Sequence, residues 1–225
     1  MRHITIAGCG FLGGLVAEEI VKRAYAAEEE LDLTLIDPDV FEARNVANQI
    51  ATLSDVGKPK AEVLLRRIGQ YGDVSAGAVA FVGELQYAEG KLWVTQEEER
   101  LEFSTTVLID CTDNLAARQA FHRWAVEQNG VCLHVGLSQA GLGSIEWSRA
   151  SESTFSLAEA QPLQDELKRL PPCELVGLRG VGLLTAWLAA KALALACWDF
   201  NPDKERASKV PTYRISADLA ITRVV

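Results

Sequence analysis

Paired cysteines are the first thing this chain lacks. Its five cysteines, Cys9, Cys111, Cys132, Cys173 and Cys197, are scattered, and no two form the C-x-x-C half of a zinc knuckle. No structural zinc is therefore expected. An odd count with no secretory leader reads as reduced thiols in a cytoplasm. The opening "MRHITIAG" runs straight into a strand without the apolar core of a signal peptide, so a cytoplasmic protein is expected. Positive charge is also short: 22 basic against 31 acidic residues give a net charge of −9, which argues against unspecific nucleic-acid binding. Repeats and low-complexity tracts are absent. The longest apolar stretch, residues 180–197, contains Lys191 and abuts Arg179. A charge there would cost about 3 kcal/mol in a bilayer, so a buried or interface helix is expected and no membrane span.

What is present is an ordinary globular composition, 48% hydrophobic and 24% charged over 225 residues, which suits one α/β domain over 1–225. Short β-rich runs alternate with helical segments, the pattern of a doubly wound, mostly parallel sheet with helices on both faces. Strands are expected at 3–8, 31–37, 76–83, 105–111, 131–136 and 143–148. Helices are expected at 11–26, 58–71 with Pro59 in the first turn, 114–130 and 180–197. Polar residues 149–178 read as a long crossover loop, and "VPTYRI" and "LAITRVV" as closing antiparallel strands.

Between the first strand and helix lies "IAGCGFLGG", in which Gly8, Gly10 and Gly13 fit the G-x-G-x-x-G phosphate cradle. Asp37 ends the second strand, where a carboxylate can hold a ribose of NAD or ATP alike. The next segment separates the two. A polar run of about twenty residues leads to the lysine-bearing "GKPKAE", and a later strand ends in "LIDCTDN" with Asp110 and Asp113. Glycine loop, ribose carboxylate, lysine and a distant strand-end aspartate suit a triphosphate with Mg²⁺, a hard ion that takes carboxylate and phosphate oxygens. Taken singly, Asp113 could equally cap the following helix and Lys60 could be a solvated first-turn residue.

Together these segments resemble the ThiF/HesA/MoeB superfamily, the Rossmann-like adenylating core shared with ubiquitin-activating enzymes. The similarity rests on Gly8-Cys9-Gly10, Asp37-Pro38-Asp39-Val40, Asn45 to Gln49, Gly57 to Lys60, Asp110 to Asn114 with Arg118, and the helix containing Lys191. It implies ATP-dependent adenylation of the C-terminal carboxylate of a small ubiquitin-like or sulfur-carrier protein, or of a peptide, by a protein that is commonly a homodimer. By position, Gly8, Gly10, Gly13, Asp37, Asp39, Asn45, Asn48, Gln49, Lys60, Asp113 and Asn114 would line the nucleotide site. Asp37 would bind ribose, Lys60 the phosphates, and Asp113 the Mg²⁺. Cys173 matches the position of a cysteine that in some members forms a thioester or acyl disulfide.

One departure stands out: "N-x-x-R-Q" has become "NVANQ", leaving Asn48 where the family carries arginine. Asparagine can hydrogen-bond a phosphate but cannot neutralise it. Arg44, Arg66, Arg67 and Arg118 are the candidates to compensate, and slower or partner-dependent adenylation is expected. Two other readings stand beside the enzyme: a nucleotide-binding or scaffold subunit without turnover, and an NAD-dependent oxidoreductase, for which no hydride-transfer residue is evident.

Overall fold

A computed structural model describes residues 3–71, 77–96, 99–137, 142–149, 152–153, 179–197, 212–216 and 219–224. Five strands form the parallel block: β1 (His3–Ala7), β2 (Asp32–Ile36), β3 (Val79–Phe81), β7 (Val107–Asp110) and β8 (Val131–Leu137), ordered β3-β2-β1-β7-β8. The sheet then continues antiparallel through β9 (Gly143–Arg149), β11 (Thr212–Ile215) and β12 (Ile221–Val224). A short β10 (Glu152–Ser153) pairs with β9 inside the segment expected as loop. Arg149, the first residue of that segment, ends β9, and residues 150–151 and 154–178, with Cys173 among them, lie outside the described residues.

The parallel strands are apolar almost throughout because both of their faces are covered. Ile4, Ile6, Leu33, Leu35, Ile109 and Leu133 pack beneath α1 (Phe11–Ala27), α2 (Lys60–Ile68) and α4 (Arg179–Cys197). Ala7, Ile36, Leu108 and Cys132 face the other way, with Phe121 and Trp124 of α3 (Leu115–Glu127). Among the described residues no helix is long and apolar enough to cross a membrane. α4 instead buries Val181, Ala186, Leu188, Ala189, Ala190 and Leu193 in the core.

The helices expected at 11–26 and 180–197 each gain one residue, while those expected at 58–71 and 114–130 are shorter. Pro59 sits at the N-cap of α2 rather than in its first turn, and α3 begins after Asn114. One element has no counterpart in the sequence expectations. Residues 84–96 and 99–103 form a separate antiparallel sheet of β4 (Glu84–Ala88), β5 (Lys91–Gln96) and β6 (Glu99–Phe103). Leu85, Tyr87, Leu92 and Val94 alternate inward against α3. The β4–β5 hairpin turns on Glu89 and Gly90, both at positive φ (57° and 75°). That geometry matches the twist of paired strands and favours glycine at the second position.

Candidate functional site

Strand order reverses direction at β1 and β7: the chain leaves β1 toward β2 on one side, and β7 leads to β8 on the other. The crevice outside the carboxyl ends of these two strands is where open α/β sheets bind ligands. The glycine loop, residues 8–10, fills it and hands over to α1, whose first turn, Phe11-Leu12-Gly13-Gly14, is uncharged. Free N–H groups and the helix dipole there favour an anion. Two glycines are sterically required. Gly8 has φ +90°, and a Cβ on it would lie 2.9 Å from the Cys111 carbonyl oxygen; a Cβ on Gly13 would run into the carbonyl of Gly8. The loop is thus packed directly on the turn that follows β7.

Asp37 holds the loop from the other side. Its carboxylate accepts the Cys9 N–H at 2.5 Å and the Asp39 N–H at 2.8 Å. Burial pushes the Asp37 carboxyl up, and the Lys60 charge with the two N–H bonds only partly offsets this. Four lone-pair directions leave the carboxylate able to accept from ribose as well. Next to it, Lys60 is 9% exposed and its Nζ donates to Asp39 Oδ2 at 2.8 Å. The pairing is built by backbone: Val40 bridges Pro59, Phe41 N–H donates to the Lys58 carbonyl, and Lys60 N–H to the Asp39 carbonyl. Lys60 is therefore no solvated first-turn residue.

The polar segment between Asp37 and Lys60 folds as two 3-10 turns, Ala43–Ala47 and Leu53–Asp55. Asn45, Asn48 and Gln49 are all buried there, and Ile50 lies against Gly14 of α1. Asn45 Oδ1 accepts the Glu42 N–H at 2.9 Å, closing a capping box. Gln49 Oε1, one residue before the Ile50 that packs against Gly14, is buried without a hydrogen-bond partner, a polar atom that a ligand could satisfy.

Residues 1–194 match the ThiF family. The chain belongs to that family. It is 25% identical over 177 residues to tRNA threonylcarbamoyladenosine dehydratase 1 of Saccharomyces cerevisiae, covering 75% of this chain and 36% of that protein. It is also 25% identical over 164 residues to the ATP-dependent ubiquitin transferase-like protein Cap2 of Enterobacter hormaechei, covering 71% of this chain and 24% of that one. The chain thus spans about a third and a quarter of these two relatives. In fold it matches E. coli MccB solved with ATP, with a TM-score of 0.68 at 14% identity over 99% of this chain and 63% of MccB. PaaA gives a TM-score of 0.62 at 13% identity, covering 100% of this chain and 72% of that one.

Beyond β7, this ThiF-family chain presents Asp113 and Asn114 at the exposed start of α3. Asn114, not Asp113, is the helix cap: its side chain accepts from the N–H of Ala116 (2.9 Å) and Ala117 (3.4 Å). The capping explanation for Asp113 is thereby removed. Among the described residues no group of three or more His, Cys, Asp or Glu could hold a metal. The donor set fits Mg²⁺ only where phosphate oxygens and water complete it, as that ion ordinarily requires.

The candidate arginines are engaged elsewhere. Arg66 and Arg67 both bond Asp55, whose carboxylate also accepts the N–H and hydroxyl of Thr52. Arg44 pairs with Glu42 at 2.6 Å. Arg118 donates to the carbonyls of Thr112 (3.0 Å) and Val135 (2.7 Å). Cys9, Cys111 and Cys132 are held as thiols: burial pushes each up, and the charge of Asp37 or Asp110 adds to it. Sequence reasoning missed the anchoring of Asp55 and a row of buried polar groups behind Asp110. The alternation of β8 was the available signal, since it sets Cys132 and His134 on the Asp110 face.

Proposed function

We propose that this protein adenylates the C-terminal carboxylate of a peptide or small ubiquitin-like carrier protein with ATP. The observation that carries the reading is the glycine loop at the start of α1, wedged between Asp37 and the turn after β7, with the Lys60–Asp39 pair at its rim. Family membership supports it, as do solved structures of MccB with ATP and with the MccA peptide, and the relation to an ATP-dependent ubiquitin transferase-like protein.

The chemistry asks little of side chains as acids or bases. An α-carboxyl titrates near ~3.5, so the nucleophile is already ionised at neutral pH. Its oxygen attacks the α-phosphorus, the bond to the pyrophosphate oxygen breaks, and pyrophosphate departs with the electron pair. Placement and charge neutralisation do the rest. The loop N–H groups bind phosphate, Asp37 the ribose, and Lys60 leaves Asp39 to contact the phosphates. Asn45, Asn48, Gln49 and Asn114 line the pocket. Asp113 would hold Mg²⁺, which, when bound, neutralises the leaving pyrophosphate.

ATP–pyrophosphate exchange tests the reading. A peptide with a free C-terminal carboxylate should support exchange, and the same peptide as its C-terminal amide should not. Since Asn48 stands where the family carries arginine, wild-type exchange should be slow and Asn48→Arg should accelerate it. A robust wild-type rate unchanged by arginine contradicts the charge deficit. ATP binding without exchange in either form would favour the scaffold reading.

A further inference from the structure

Behind the nucleotide crevice, between the sheet and α3, runs a hydrogen-bonded row that the proposed chemistry does not use. Asp110 Oδ2 meets His134 Nδ1 at 2.7 Å, His134 Nε2 meets Ser148 Oγ at 3.0 Å, and Ser148 Oγ meets His122 Nδ1 at 2.8 Å. Asp110 and Ser148 are fully buried and His134 is 1% exposed. The order Asp–His–Ser is that of a hydrolytic triad, but a serine with no exposed surface cannot reach a substrate. An ionised Asp110 only accepts, so His134 Nδ1–H is the donor of the bond between them, while the direction of the two bonds at Ser148 follows the histidine tautomers. Burial, followed by the proximity of His134, lowers the pKa of His122.

The row ends on a hub. Asp110 also accepts the N–H (3.0 Å) and hydroxyl (2.7 Å) of Thr112, and Arg118, 3.8 Å away, holds the Thr112 carbonyl. Burial alone would push the Asp110 carboxyl up, yet Arg118, His134 and Thr112 bring it below its ordinary value. The Cys111–Thr112 backbone is the surface on which Gly8 rests, and Asp113 follows immediately. Whatever fixes Asp110 therefore fixes the floor of the glycine loop and the base of Asp113.

We propose that His134 is a positioning residue for the nucleotide site: backed by Ser148 and His122, it orients Asp110, which locks the 111–113 turn and aims Asp113. This rests on Asp113 being the residue that meets Mg²⁺. A freely rotating carboxylate would let the turn sample other conformations; the effect reaches Asp113 through the backbone, so it belongs at or below the roughly ten-fold lower end of what a direct partner of a metal ligand governs.

The test is calorimetric titration of the full chain with ATP, with and without Mg²⁺, on two variants of His134. His134→Leu removes the donor to Asp110, whereas His134→Asn places an amide N–H where Nδ1 stood. His134→Leu should weaken ATP–Mg²⁺ by up to about ten-fold and metal-free ATP far less, and His134→Asn should restore most of the loss. Equal weakening with and without Mg²⁺, equal loss in both variants, or no loss in a folded His134→Leu overturns the proposal. Should His134→Leu not fold, Thr112→Val decides, because it deletes only the hydroxyl donated to Asp110: a Mg²⁺-selective loss supports the proposal and an unchanged titration overturns it. A wild-type chain that binds ATP no more tightly with Mg²⁺ removes the parent reading, and the proposal with it.

Discussion

Gly13 is where a single atom decides most. A Cβ there would run into the Gly8 carbonyl, which is itself packed on Cys111. Gly13→Ala should therefore cost about 1–3 kcal/mol through overpacking and displace the loop that receives phosphate. Thermal denaturation with ATP titration would show both losses together. Retained stability with lost binding would mean that the loop yields more easily than its contacts imply. Gly8, Gly13 and Asp37 were legible in the sequence because backbone clearance and a strand-end carboxylate leave a fixed spacing, whereas a Cβ on Gly10 would meet nothing. Lys60 was legible as a position, but its burial and its pairing with Asp39 were not, since they depend on the Val40–Pro59 bridge. The roles of Arg66, Arg67 and Arg118 were illegible for the same reason: their partners, Asp55 and two carbonyls, are set by tertiary packing.

Two elements carry the site without touching it. The 3-10 turn ending at Asp55 is tied to α2 by Arg66 and Arg67, which anchors the end of the polar segment that bears Asn45 and Gln49. The hydroxyl and N–H of Thr52, then Arg67 and Arg66, hold the Asp55 carboxyl far below its ordinary range despite its burial. The folded-state pKa is depressed, so this stabilisation is present above the unfolded value, about 3.9, and is lost as the pH falls through the folded value. Asp55→Asn should therefore lower the unfolding midpoint at pH 7, with the gap to wild type narrowing progressively below about pH 4. A gap that stays constant down to pH 2 would show that the carboxylate charge is not what binds the turn. The β4–β6 sheet is the second such element. Leu92, 1% exposed, plugs it onto α3, and Leu92→Ala should cost about 2–5 kcal/mol, read by denaturant unfolding. An unchanged unfolding midpoint would show that the sheet contributes little to stability. The strand alternation of 84–103 is present in the sequence, with Leu85, Tyr87, Leu92 and Val94 at every second position. A surrounding excess of charged residues and a Glu-Gly hairpin in place of Asn-Gly mask it.

At the scale of the molecule, a parallel block wound about β1 and β7 creates one crevice, where the glycine loop, Asp37 and the turn after β7 meet. Under α3, the last two parallel strands and the first antiparallel one, β7, β8 and β9, line up Asp110, His134 and Ser148. The alternating α/β pattern made the sheet legible from sequence, because strands covered on both faces are apolar throughout. Its strand order was not, since no local signal states which strand β1 lies beside. On the proposed reading this crevice is an ATP site rather than a dinucleotide site. Isothermal titration of the full chain with ATP–Mg²⁺ and, separately, with NAD tests it most directly. ATP–Mg²⁺ should bind at one site per chain, Lys60→Ala should weaken that binding, and NAD should give no saturable heat. Saturable binding of NAD with none of ATP would contradict the account.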